Sequence, residues 1–147
     1  MAAGFLGDVR EAVAVGGPRL AKARERGAVG ILVPGLAVLA AGRAWLGDHA
    51  GAFAAAGEAA ELGEQLGYVA DVAVAVEMLA WQSASRGLHD DARRALERAR
   101  VLTDRAGTTS VAAHQATGFC ALCRGDLVWV PTTSSAPSDL LVRWWGR

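Results

Sequence analysis

With 147 residues, 52% of them hydrophobic, and 15 basic side chains balancing 15 acidic ones, the chain can bury a core and carries no net charge. Zero net charge excludes a global field that would draw it to nucleic acid or to an anionic membrane. The start, MAAGFLGDVREA, lacks the basic stretch and long apolar run of a secretory leader. The most apolar window, 28–42, is too short to span a bilayer and is interrupted by Pro34-Gly35. Two cysteines outside a secretory context imply reduced thiols and a cytoplasmic location.

In chain order, residues 5–27 are expected to form a helix that breaks or kinks at Gly16-Gly17-Pro18, because proline removes a hydrogen-bond donor and its ring meets the preceding turn. The first helix of the next unit runs within Val29 to Leu46 and is expected to start near Pro34, which suits a first-turn position. Residues 48–66 follow, with an acidic stripe of Glu58, Glu61 and Glu64 and an apolar face that is alanine apart from Phe53 and Leu62. Residues 68–86 place Val69, Val72, Val76, Leu79 and Ala80 inward. The next stretch, GLHDDARRALERARVLTDRAG, carries Ala92, Ala95, Leu96, Ala99 and Leu102 on one face and arginines on the others. Asp90 or Asp91 is expected to cap that helix, and Gly107 to end it. Thr108 or Thr109 should cap a last helix over 110–124, after which Pro131 and the loop composition of 132–138 stop the pattern.

These elements repeat. Gly87, His89, Ala92, Ala95, Ala99, Leu102 and Gly107 have counterparts 40 residues earlier in Gly47, His49, Ala52, Ala55, Ala59, Leu62 and Gly67. A period near 40 residues, with two helices per unit and glycine at the joints, predicts an all-α, tetratricopeptide-like α-solenoid of antiparallel helix pairs. The units are 1–27 (partial), 28–67, 68–107 and 108–130 (partial), with an irregular tail over 131–147. Units at the ends of such an array leave apolar faces uncovered, Phe119 and Leu122 among them, so self-association through those ends is expected.

The units AGRAWLGDHAGAFAAAGEAAELGEQLG and SASRGLHDDARRALERARVLTDRAG resemble the C-terminal helical repeats of LuxR-family, MalT-like ATP-dependent transcriptional regulators, over roughly residues 18–127. The resemblance implies a sensor and interaction segment that binds a protein partner or a small effector. The family's ATPase and DNA-binding functions do not carry over, since no G-x-x-x-x-G-K-[ST] phosphate loop and no helix-turn-helix signal occurs. The tail after Val128 matches neither the repeat nor the family, which reads as a truncated or frame-shifted fragment. The alternative is a free-standing tetratricopeptide-like scaffold that binds proteins.

No acid–base or nucleophile constellation is legible, so the expectation is a non-enzyme with no catalytic, cofactor-binding or metal-ligating residues and no cofactor. Cys120-x-x-Cys123 lies inside a predicted helix and reads as two buried, inert thiols. His49 and His89 sit at equivalent helix starts, which suits a joint role. The arginine stripe, Arg94 and Arg98 included, contains Glu97 and Asp104. It therefore reads as a solvated face, or as a partner for Glu58, Glu61 and Glu64, with no direct nucleic-acid binding. Trp45 and Trp81 lie near the ends of first helices, which line the inner curve of such an array; they read as packing residues, with a ligand-facing role as the alternative. With Arg94 and Arg98 they are the candidate groove or partner contacts.

Overall fold

The computed structural model describes residues 2–108 and 111–125, and these are all-helical, with no strand among them. Six helices follow one another: α1 (Ala2–Glu25), α2 (Val29–Trp45), α3 (His49–Leu66), α4 (Val69–Ser85), α5 (His89–Ala106) and α6 (Val111–Arg124). The tail 131–147, Trp129 and the capping candidate Thr109 lie outside the described residues.

The joints explain the regularity. Gly27, Gly47, Gly67, Gly87 and Gly107 all have positive φ, between 63° and 81°. This left-handed conformation is open to glycine without the steric cost other residues meet. Each closes its helix with the same pair of bonds: at Gly67, for example, its N–H donates to the Glu64 carbonyl (3.3 Å) and the Tyr68 N–H to the Gly63 carbonyl (2.9 Å). The residue after each of the first four glycines (Ala28, Asp48, Tyr68 and Leu88) then has φ near −80° and ψ between 61° and 70°, and opens the next helix. The turn is thus reused at a constant spacing of 20 residues, from Gly27 to Gly107.

Three local expectations are corrected. α1 runs through Gly16-Gly17-Pro18 without ending, which overturns the expected break. Gly17 has no Cβ to meet the proline ring, and the Ala14 carbonyl that loses its donor belongs to an exposed residue, where water can satisfy it. α2 starts at Val29, so Pro34 lies inside it. Pro34 and Gly30, whose carbonyl is left without a partner, are both exposed, while the added turn buries Leu32 and Val33. Asp90 and Asp91 are not caps: the N-cap of α5 is Leu88, which makes no side-chain capping bond, and the two aspartates lie in the first turn. There they still favour the positive end of the helix dipole. Asp48 alone, among the described N-caps, accepts a backbone N–H, from Gly51 at 2.9 Å.

Packing divides the helices into two groups. Each helix packs on its chain neighbours, and α4 also packs on α2 and on α6, so that α2, α4 and α6 form one row. α3 buries a face made only of Ala52, Ala55, Ala56, Ala59, Ala60 and Gly63, which lets α2 and α4 approach closely. Leu36, Leu39, Val72, Val76 and Met78 fill the main core with those alanines. α3 and α5 have no close backbone approach; long side chains bridge them, Arg98 pairing with Glu64. On the other side of α3, Arg24 of α1 holds Glu58 through a fork of bonds at 2.5 to 2.9 Å. The acidic stripe of α3 is therefore in part a partner for the arginines of its neighbours. These pairs are solvent-exposed and stabilise by about 1 kcal/mol or less each.

Candidate binding face

The row of α2, α4 and α6 carries an aromatic line. Trp45 is the last residue of α2, and Trp81 lies in the last turn of α4. Their rings meet edge to face, with centroids 5.6 Å apart. Trp81 also packs on Phe119 of α6, with centroids 4.9 Å apart. The edge-to-face pair aligns the positive edge of one ring with the negative face of the other and adds about 1 kcal/mol beyond area burial; the second pair is tilted, with 36° between the ring planes. Phe119 is thus partly buried, where the sequence leaves it uncovered; Leu122 of the same helix is exposed. Trp45 remains 49% exposed, a large apolar surface at the rim of the row.

α4 also buries polar side chains. Gln82, next to Trp81 in sequence, is fully buried, and its Oε1 lies 3.0 Å from Nδ1 of His49, the first residue of α3. This pair joins the start of α3 to α4. Gln82 Nε2 is buried and has no hydrogen-bond partner among the described residues, and the same holds for Nδ1 of His89 at the start of α5. Glu77, one turn before Trp81, is also fully buried. Sequence reasoning missed Glu77, Gln82 and Phe119. The only signal for the first two is polarity in the middle of an apolar helix. Phe119 reads from the sequence as an uncovered residue of the last helix, and its contact with Trp81 leaves no local mark.

The other two candidate contacts lie elsewhere. Arg94 and Arg98 belong to α5, where Arg94 pairs with Asp91 and Arg98 with Glu64. Arg100, between Glu97 and Asp104, completes an exposed network along the same helix. Glu97 is held below the usual carboxylate range by its hydrogen bond to Arg100 and by that residue's charge. The structure brings Trp45 and Trp81 together and assigns the arginines to ion pairs.

The cysteines differ from each other. Cys120 is buried, and desolvation, with a smaller contribution from the neighbouring Cys123, pushes its thiol up to about 11. Cys123 is exposed, which corrects the expectation of two buried thiols: it lies in the last turn of α6, where residues 122–125 are all exposed. At mildly alkaline pH an alkylating reagent should modify Cys123 first and leave Cys120 until the chain unfolds, as read by mass spectrometry of the digested protein. Equal rates in the folded chain would contradict the burial of Cys120. Because the folded Cys120 value lies above its ordinary one, its contribution to stability is whole below the ordinary thiol range and is lost as pH rises through about 11.

Among the described residues, no three His, Cys, Asp or Glu side chains lie close enough together to hold a metal ion. No described helix is long and apolar enough to cross a membrane. Comparison with protein-family models, with curated proteins and with solved structures finds no match to this chain.

Proposed function

We propose that the chain is a non-catalytic interaction segment, a tetratricopeptide-like α-solenoid with a period near 40 residues that binds a protein partner or small effector along the row of α2, α4 and α6. The observation that carries this reading is the line Trp45–Trp81–Phe119, which crosses three helices and leaves Trp45 half-exposed. The packing supports a curved array. The reading with the row on the inner curve is supported by close approach along α2, α4 and α6, with α3 joined to α1 and α5 through long arginine–glutamate pairs. Aromatic side chains on such a surface supply large, rigid contact area.

On the resemblance of its two central units, we further propose that this is the sensor segment of a LuxR-family, MalT-like regulator acting in the cytoplasm, with no direct contact to DNA. The flanking coding sequence tests this. An in-frame phosphate loop upstream and a helix-turn-helix downstream are expected, and a reading frame that lacks both would favour the free-standing scaffold.

Binding itself is tested with peptides selected from a displayed random library on the intact chain. Trp45→Ala should weaken the selected peptides by about tenfold or more, the loss typical of an interface anchor. Arg94→Ala should leave their affinity unchanged. The reverse pattern, with circular dichroism confirming that both variants are folded, would move the binding face to α5.

A further inference from the structure

The end of α4 holds a cation without a counter-ion. Arg86 is exposed and closes α4, its backbone N–H donating to the Ser83 carbonyl at 3.2 Å beside the Gly87 joint. Its guanidinium lies over the Phe53 ring of α3, 5.6 Å from the centroid. Four residues earlier on each helix Gln82 meets His49, so the two pairs are successive rungs between the end of α4 and the start of α3. Among the described residues no carboxylate pairs with Arg86. The acidic groups around it are engaged, Asp90 and Asp91 with Arg93 and Arg94, and Asp48 with Arg43. The array itself needs no charge at this place. One period earlier it is taken by partly buried Leu46, and the joint there closes with the same bonds.

We propose that Arg86 receives a carboxylate of an acidic peptide whose apolar side chain stands on Trp45, an inference that rests on the binding face proposed above and names the chemistry of its partner. Contact with the Phe53 ring leaves the charge of Arg86 unneutralised, and the guanidinium fork matches a carboxylate in two parallel bonds. Backbone joint and ring hold the side chain at both ends, which lowers the entropy lost when a partner binds. Spacing narrows the partner further. Trp45 ends α2 as Arg86 closes α4, and helices packed side by side lie about 8–10 Å apart between axes. An extended chain rises about 3.3 Å per residue, so the acid and the apolar anchor lie about three positions apart. One free cation suits one carboxylate. A nucleic acid would need several phosphates neutralised, and Arg93, Arg94, Arg98 and Arg100 of α5 are already paired.

The test uses the whole chain and the displayed random library. Selected peptides should carry Asp or Glu about three positions from a large apolar residue. Arg86→Gln, an exposed change that leaves the core intact, should weaken such a peptide by about tenfold. Replacing the peptide's acid by its amide should cost the wild-type chain a similar factor and the Arg86→Gln chain nothing further. Arg105→Gln, at an exposed position of α5, should leave the affinity unchanged. Selection on Arg86→Glu should turn from acidic to basic peptides. Peptides that depend on Trp45 but bind Arg86→Gln as tightly as the wild type would overturn this inference and leave the binding face standing. A library that yields no Trp45-dependent peptide would overturn the face and the inference together. A single-stranded oligonucleotide that binds at physiological salt and is lost in Arg86→Gln would overturn the peptide in favour of a phosphate polymer.

Discussion

Leu36→Ala should lower the stability of the folded chain by about 2–5 kcal/mol, and its melting temperature by on the order of 10 °C. Leu36 is 2% exposed and heads the largest fully buried side chains. Its core cluster draws on three other helices through Leu20 of α1, Ala56 and Ala59 of α3, and Val72 and Val76 of α4. Truncation there removes transfer free energy and leaves a cavity that rigid helix backbones cannot close. Val101→Ala, on the exposed side of α5, should cost about 0.5 kcal/mol or less. Similar chemical-denaturation midpoints for the two variants would refute the helical phase of α2.

Two glycines of α3 should respond in opposite directions. A Cβ added at Gly63 would lie 2.6 Å from Cγ2 of Val72 and 3.1 Å from Cγ1 of Val33, so it is held between α4 and α2. Both neighbours are β-branched, with little freedom to turn away. Gly63→Val therefore forces the three helices apart and should destabilise by about 3 kcal/mol, at the upper end of ordinary overpacking. At Gly57, six residues earlier, an added Cβ meets nothing within 4 Å. Gly57→Ala should stabilise by roughly 0.5–1 kcal/mol through the better helix propensity of alanine. Thermal melts of the two variants check the pair, and destabilisation by both would mean that α3 does not present its alanine face to α2 and α4.

The glycine joints were the most legible part of the chain. A residue with positive φ leaves a direct mark on sequence, and the marks at Gly47, Gly67, Gly87 and Gly107 located the ends of α2, α3, α4 and α5. Proline misled at both positions in the described helices, because its cost depends on surroundings. Pro18 and Pro34 keep their helices where the lost bond faces water and the extra turn buries side chains. The caps at Asp90 and Asp91 failed for a related reason: the joint geometry fixed Leu88 as the N-cap, leaving the aspartates two and three positions too late. Trp45 and Trp81 were visible as candidates, but their contact was not, since it depends on the offset between α2 and α4. The pairing of His49 with Gln82, 33 positions apart, left no local mark.

The packing of α2, α4 and α6 as one row is tested most directly by aromatic contacts in solution. With the aromatic rings isotopically labelled, nuclear Overhauser cross-peaks should link Trp45 to Trp81 and Trp81 to Phe119, whose centroids lie 5.6 Å and 4.9 Å apart. A folded, helical chain that shows neither cross-peak would contradict the row and the binding face built on it.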